Sequence, residues 1–595
     1  MSRKLMFSLV AAALVAAAVT VAVAWPGEQT APPVPPRLTT VAEIAGRGAT
    51  LPVTAYEAEH ARTDGTVLGP DRRHGTLAGE ASGRMAVTLQ PGQSLTITLT
   101  APANAVNVRF SIPDSADGTG QDAALAVQAA GAQPPPLALT SRYSWFYGGF
   151  PFTNLPEQGG ARHLYDSART LLGADLPAGA TVTLRADAVP TTLDLIEFEQ
   201  VAGPLPRPAG SLSVADFGAD PTGAAPAGEA FTAALAAART QRKALYVPAG
   251  RYAVARHLTL DGVTVQGAGM WHTELRGAGV GLYGTATPQP AQGVRVADLA
   301  IIGEVDERDD HAALAGVGGA LGGGSVLERL WIQHVKVGMW LDGPFTGLTV
   351  TGCRILDVTA DGINLHQGVS DVTIRDNLVR NTGDDGIALW SEAGPDGFEG
   401  TYGADHHVTI ERNTVQLPML ANGIALYGGH DNTVRANVVA DIQVEGGGIH
   451  VGNRFSAVLL RGTTVIEGNT TLRAGADHPF LTTPIGALWF YAKDAPLTGE
   501  VLVRDNDLLD SAYAAVQAFG SSVSGVRIDG LRVRGAGTHV LQVQAAGSLA
   551  LTGLAVDGVG GQPLFHCADA VAFTVTGTPL APGYCGPFAT PVYRY

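Results

Sequence analysis

Short runs in which apolar and polar positions alternate dominate the chain, and they fall into two regimes. Between about Val53 and Val201 the runs MAVTLQ, SLTITLTA, AVNVRFSI and TVTLRADAV are separated by Gly, Pro and Asp turns. Period-two alternation bounded by turn residues predicts strands with one buried face, and a close succession of them predicts a β-sandwich. After Pro204-Leu205-Pro206-Arg207-Pro208 a helical pattern runs from Gly228 to Arg242, and strands then resume. Beyond it one phrase recurs: VTIRDNLVRNT at Val372, VTIERNTVQLP at Val408, NTVRANVVADI at Asn432, TTVIEGNTTLR at Thr463 and VLVRDNDLLDS at Val501. Val408 and Asn432 lie 24 residues apart and Val372 and Val408 lie 36 apart, so a coil of a little over twenty residues carries insertions in some turns. Such a period marks a solenoid, here a parallel β-helix, whose insertions gather on one face where ligands bind. The recurrent Asn suits a turn, where its amide can bond neighbouring backbone and stack on the Asn of the next coil.

The fold class expected is therefore all-β. A sandwich over residues 51–203 precedes a β-helix over 210–595, with the helix at 228–242 capping the open end of the solenoid against water. Arg3 and Lys4 precede an apolar run from Leu5 to Ala24 that ends in the small-x-small pattern Ala22-Val23-Ala24. Residues 1–24 thus read as a signal peptide and the mature chain as secreted, without stable membrane association; an uncleaved anchor competes, weakened by the many alanines. Residues 25–50, with the Pro-rich stretch Pro32-Pro33-Val34-Pro35-Pro36, read as an extended linker. In an oxidising compartment Cys567 and Cys585 could close a loop, whereas Cys353 sits in an apolar strand as a small hydrophobe. With 76 Gly and only 15% charged residues the composition fits turn-rich β structure, and nothing in it points to an obligate protein partner, so a monomer is expected. The net charge of -16 argues against nucleic acid, whose phosphates demand a surplus of Lys and Arg, and makes a polyanionic substrate less attractive.

The densest chemistry lies in ADGINLHQGVSDVTIRDNLVRNTGDDGIALWSE, where Asp361-Gly362 and Asp384-Asp385-Gly386 recur 23 residues apart, about one coil. Parallel strands stand ~4.8 Å apart, so carboxylates on adjacent coils can flank one glycosidic bond. One acid to protonate the leaving oxygen and one base to activate water is what glycoside hydrolysis needs, and crowded like charges keep a proton available near neutrality. An isolated Asp-Asp-Gly would be a solvated turn; recurrence one coil apart, near His366, Trp390, Tyr427 and Trp489 as sugar-stacking or polar surfaces, favours the catalytic reading. Asn422, His450 and Arg454 are further candidates for lining the cleft. Hydrolysis by such a carboxylate pair needs no cofactor or metal.

Two resemblances extend this. The opening Tyr56-Glu57-Ala58-Glu59 and closing Asp194-Leu195-Ile196-Glu197 of the sandwich resemble carbohydrate-binding modules of families 6 and 35, which implies a structural calcium at Glu57, Glu59 and Asp194. Otherwise these are solvated charges on strand faces. The aromatic cluster SRYSWFYGGF, Ser141 to Phe150, would serve either sugar binding or contact between the two units. The motifs DGINLHQGV, VRNTGDDGIALWSE, LPMLANGIALYGG and GGGIHVGNRF are similar to the catalytic region of glycoside hydrolase family 87, bacterial α-1,3-glucanases (mutanases) and mycodextranases. The resemblance implies inverting hydrolysis of an α-glucan, with catalytic aspartates on Asp361, Asp384 and Asp385 and a further acid near Asp405. By analogy with β-helix polygalacturonases, Asp384 would be the general acid while Asp361 and Asp385 hold the water. Inversion predicts acid and base ~6.5 to 9.5 Å apart. A polygalacturonase or pectate lyase on the same fold is the first rival; it calls for basic residues around the aspartates, and between 360 and 410 only Arg375 and Arg380 occur. A non-catalytic polysaccharide-binding β-helix is the second.

Overall fold

Repetition of one coil generates most of the molecule. In the computed structural model, which describes residues 41, 44, 46–129, 131–394, 402–478, 481–581 and 583–593, strands from Leu212–Ser213 to Phe573–Gly577 join in one parallel network of 34 strands. The coil formed by Ser370–Arg375, Leu378–Thr382 and Ile387–Trp390 pairs in register with Thr409–Glu411, Thr414–Gln416 and Ile424–Tyr427 of the next. Inward residues such as Ile374, Val379, Ile387 and Leu389 stack coil on coil as a continuous apolar core. This is a parallel β-helix. The helix Gly228–Gln241 turns Phe231, Ala234, Leu235 and Ala238 onto the first coils and closes that end.

The recurrent asparagines form a buried ladder. Asn377 Nδ2 donates to Asn413 Oδ1 at 2.9 Å, and Asn413 to Asn437, Asn437 to Asn469 and Asn469 to Asn506, each at 3.0 Å. The residue before each rung bends the chain into the left-handed region, as at Asp376 (φ 57°), Arg412 (φ 49°), Ala436 (φ 53°) and Asp505 (φ 51°). The rung's amide groups satisfy backbone that this corner leaves open, as where Asn413 Nδ2 donates to Ile374 O.

The sandwich consists of a six-stranded and a five-stranded antiparallel sheet. Its first strand, Val53–Glu57, pairs with its last, Thr191–Glu199, placing Glu57 opposite Leu195. The sandwich lies against one flank of the solenoid through buried ion pairs: Arg380 grips both oxygens of Glu197 at 2.8 Å, and Arg354 meets Glu199 at 2.8 Å. Phe146 and Phe152 from the sandwich pack with Met419, Leu420 and Val444 of the solenoid. Of the aromatic cluster, Phe146 and Tyr143, which stacks on His334, thus meet the solenoid, whereas Trp145 and Tyr147 pack within the sandwich.

The expected signal peptide at 1–24 and most of the expected linker lie outside the described residues. The end of that linker runs on the solenoid surface: Gly48 N donates to Ala436 O at 2.8 Å, and Arg47 pairs with Asp507. Cys567 and Cys585 form a disulfide, and Cys353 is buried. Among the described residues no helix is long and apolar enough to cross a membrane.

Candidate active site

Four successive coils carry the same corner, ending in Gly362, Gly386, Gly423 and Gly448 before an inward Ile. Their backbones are laddered, Gly362 N to Asp385 O at 2.9 Å, Gly386 N to Asn422 O at 2.9 Å and Gly423 N to Gly447 O at 3.0 Å. A side chain has no room here: a Cβ on Gly362 would lie 2.4 Å from Gly386 O, and one on Gly386 2.6 Å from Gly423 O. The Asp-Gly pairs are therefore a requirement of packing at the glycine and a display of chemistry at the aspartate.

The register stacks Asp361, Asp385 and Asn422, with Asp384 beside them. Ligand oxygens of Asp361, Asp384 and Asp385 all lie within 4.8 Å of one another. Asp385 is tethered by three donors, its Oδ1 accepting from Asn422 N at 2.7 Å and Asn422 Nδ2 at 3.0 Å and its Oδ2 from the Tyr427 hydroxyl at 2.7 Å. Asn422 is itself fixed by Trp489 Nε1, which donates to its Oδ1 at 2.8 Å. Asp361 has only a long contact from Asn364, at 3.3 Å. Burial, and then the charges of Asp384 and Asp385, push Asp361 well above the carboxylate range; burial and Asp384 push Asp385 up to about 7 against its three donors. Asp384 reaches furthest into solvent, its side chain 28% exposed, and Arg308 Nη2 donates to its Oδ2 at 2.7 Å.

The trio opens into a cleft of about 720 Å³ lined also by Trp390, Asn422, Tyr427, Arg454 and Trp489, five of the seven residues expected to meet substrate. The other two lie beneath its aromatic floor. His366 is buried between Trp340 and Trp390 with Nε2 3.0 Å from Asp342, and His450 is buried against Tyr427 and Trp489, where burial drives its pKa well down.

Asp405 does not join the trio. It is fully buried away from the cleft, and its Oδ1 accepts the amides of Gly368 and Val369, both at 2.8 Å, so that it closes a solenoid corner. The insertion between coils that precedes it shifts it out of register with Asp361 and Asp385.

The sandwich acids do not fit a calcium cage. Asp194 Oδ2 is taken by Arg109 Nη1 at 2.6 Å and its Oδ1 by the Ser82 amide. Glu57 Oε2 and Glu59 Oε2 are buried without a hydrogen-bond partner, yet the three carboxylates are not among the groups whose ligand atoms lie within 4.8 Å of one another. A second cluster, Asp166, His334 and Asp357, sits at the junction between the units, where Gln333 Nε2 and His334 Nε2 already hydrogen-bond the carboxylates.

Residues that local sequence did not reveal complete the cleft: Phe150, Arg308, Trp340, Glu445, Phe455, His478 and Lys493. Three cations therefore enter it, all from outside the window searched for them. Arg308 is neutralised by Asp384 and Asp310, and Arg454 and Lys493 lie over the Phe455 ring. Only the aromatic cluster at Phe150 carried a signal, and that signal did not say which ring would face the cleft.

Comparison with known proteins agrees with this geometry. The family model for α-1,3-glucanase catalytic domain D1 matches residues 50–201, so the sandwich aligns with part of a catalytic unit rather than with a separate binding module; that for catalytic domain D2 matches 226–534. The catalytic unit of a thermostable GH87 α-1,3-glucanase from Streptomyces thermodiastaticus strain HF3-3 superposes with a TM-score of 0.81 at 38% identity, over 91% of this chain and 98% of that one. The Agl-KA catalytic domain gives 0.81 at 25% identity, over 89% and 98%. A GH87 α-1,3-glucanase catalytic domain variant in complex with tetrasaccharides gives 0.80 at 25%, over 90% and 100%. No curated protein matches the chain. Matched by both family models and at 38% identity over nearly its whole length, the chain belongs to glycoside hydrolase family 87 and is a glycoside hydrolase.

Proposed function

We propose that this enzyme is secreted, acts as a monomer, and hydrolyses the α-1,3-glucosidic bonds of an α-glucan of the mutan or nigeran type. The observation that carries the reading is the carboxylate trio on one wall of an aromatic-lined cleft, in a chain whose relatives are α-1,3-glucanases, one of them complexed with nigerose. The N-terminal signal pattern and the disulfide support secretion.

Three carboxylates this close cannot all be ionised in a buried site, so the trio keeps a proton near neutral pH. Asp384, the most exposed of the three, is where a glycosidic oxygen arrives and is protonated. Asp361 and Asp385 behind it hold the water, and Asp385 in its ionised form takes the proton as the water oxygen bonds to the anomeric carbon and the glycosidic bond breaks. The spacing is shorter than the ~6.5 to 9.5 Å expected for inversion with acid and base on facing walls. All three aspartates stand on one wall, and water and leaving oxygen on opposite sides of one carbon are only a few ångströms apart, so a ring standing edge-on to that wall meets both groups. Inversion is thus the stereochemistry proposed.

The test is reducing-sugar release by the purified protein from α-1,3-glucan, nigeran, dextran and polygalacturonate, with Asp384→Asn in parallel. Release from α-1,3-glucan or nigeran alone, reduced about 10²- to 10⁴-fold in the variant, is expected. Release from polygalacturonate, or from none of the four, overturns the reading.

A further inference from the structure

Three phenylalanines of the sandwich reach the solenoid, and two of them are spent on anchoring. Phe146 and Phe152 are 3% and 4% exposed within the apolar cluster shared with Met419, Leu420 and Val444. Between them the chain makes a tight loop, Tyr147 and Thr153 exchanging backbone hydrogen bonds at 2.7 and 3.3 Å. Phe150 at its tip, preceded by Gly148 and Gly149, is 52% exposed and lines the catalytic cleft. A large apolar ring left in water on a loop pinned at both ends is a stacking surface without its occupant. Behind it the Arg308 guanidinium lies 4.9 Å from the ring centroid while its Nη2 holds Asp384 and its Nε holds Asp310 at 2.8 Å. Arg308 is only 8% exposed, its Nη1 buried without a hydrogen-bond partner among the described residues, so the guanidinium is a fixed backing shared by the ring and by Asp384.

We propose that Phe150 and Arg308 form a glucosyl-binding subsite built across the two units, next to the scissile bond on the side of Asp384. The C–H face of the pyranose stacks on Phe150, while Arg308 backs the ring and ties it to Asp384. This rests on the proposed glucanase activity and deepens it. With Asp384 as the proton donor, the sugar on Phe150 belongs to the leaving group. The sandwich is then part of the active site, and the same guanidinium touches both the bound sugar's platform and the acid that cleaves its bond.

Phe150→Ala and Phe150→Trp in the full chain are compared with the unmodified enzyme on α-1,3-linked oligosaccharides of increasing length, reading kcat and KM separately, with thermal melting as a check of folding. Phe150→Ala is expected to raise KM about tenfold on oligosaccharides that reach the platform and to leave kcat within about twofold, while Phe150→Trp lowers KM below that of the unmodified enzyme. An unchanged KM in Phe150→Ala overturns the subsite. If that variant melts early, Phe150→Trp carries the test alone: its larger ring is expected to lower KM, and an unchanged KM overturns the proposal. If the unmodified enzyme cleaves no α-1,3-linked substrate, the glucanase reading fails and the subsite with it, a failure read without any variant.

Discussion

Asp385 is the best-tethered member of the trio, and its tethers oppose its surroundings. Burial and the neighbouring Asp384 charge raise its pKa to about 7, while the Tyr427 hydroxyl and the two Asn422 donors pull it down. Ionised Asp385 is what accepts the proton of water, so kcat/KM rises as pH passes upward through its midpoint. Tyr427→Phe deletes one stabilising donor of the charged form and keeps the ring in the cleft floor. The midpoint should move further up, and the acid limb of the kcat/KM profile should shift to higher pH by about half to one unit. A limb that stays in place or moves down would show that Asp385 is not the base. At this scale the sequence was readable where chemistry and packing coincide, in Asp-Gly pairs one coil apart. Arg308 was not readable, because it arrives from a charged run, Glu304 to Asp310, whose pattern matches any solvated loop.

The coil is the element that holds those aspartates one above another, and its asparagine rung is the most legible part of the fold. Asn437 accepts from Asn413 N at 2.8 Å and from Asn413 Nδ2 at 3.0 Å, and donates to Asn469 Oδ1 at 3.0 Å and to Ile410 O at 2.9 Å. Asn437→Ala leaves several buried groups unmet at about 1 kcal/mol each, so chemical denaturation should report a loss of about 2 to 4 kcal/mol. Arg435→Ala, one position outside the ladder corner and half exposed, should cost under about 1 kcal/mol. The repeated Asn could be read because each coil repeats one local problem, a left-handed corner with open backbone. Asp405 could not be placed, because a loop inserted between coils breaks the spacing on which register is counted.

Across the whole molecule, sandwich and solenoid are joined by residues far apart in sequence, such as Glu197 with Arg380 and Asp166 with His334. Each is an ordinary polar residue in its own stretch of sequence, so the sandwich could be recognised as a unit while its attachment could not. The attachment titrates. Burial alone would raise the pKa of Glu197, but the bidentate Arg380 guanidinium outweighs it and brings the carboxyl down to about 2. A folded-state value below the unfolded one contributes stability that is complete above the unfolded pKa, near 4.5, and is lost as pH falls through about 2. The linkage is worth ~3 kcal/mol at neutral pH. Glu197→Gln keeps the shape and the Asn107 contact but strands Arg380 in the junction, and losing one partner of a buried pair costs ~3 to 5 kcal/mol. Calorimetric melting of both proteins from pH 7 to pH 2 should show the largest gap at neutral pH, narrowing below about pH 4.5 as the unmodified protein loses the pair. Asp441, lowered in the same direction beside Arg473, titrates alike in both and cancels in the difference. A gap that stays constant across this range would mean that the pair does not hold the sandwich, and the Phe150 loop with it, against the cleft.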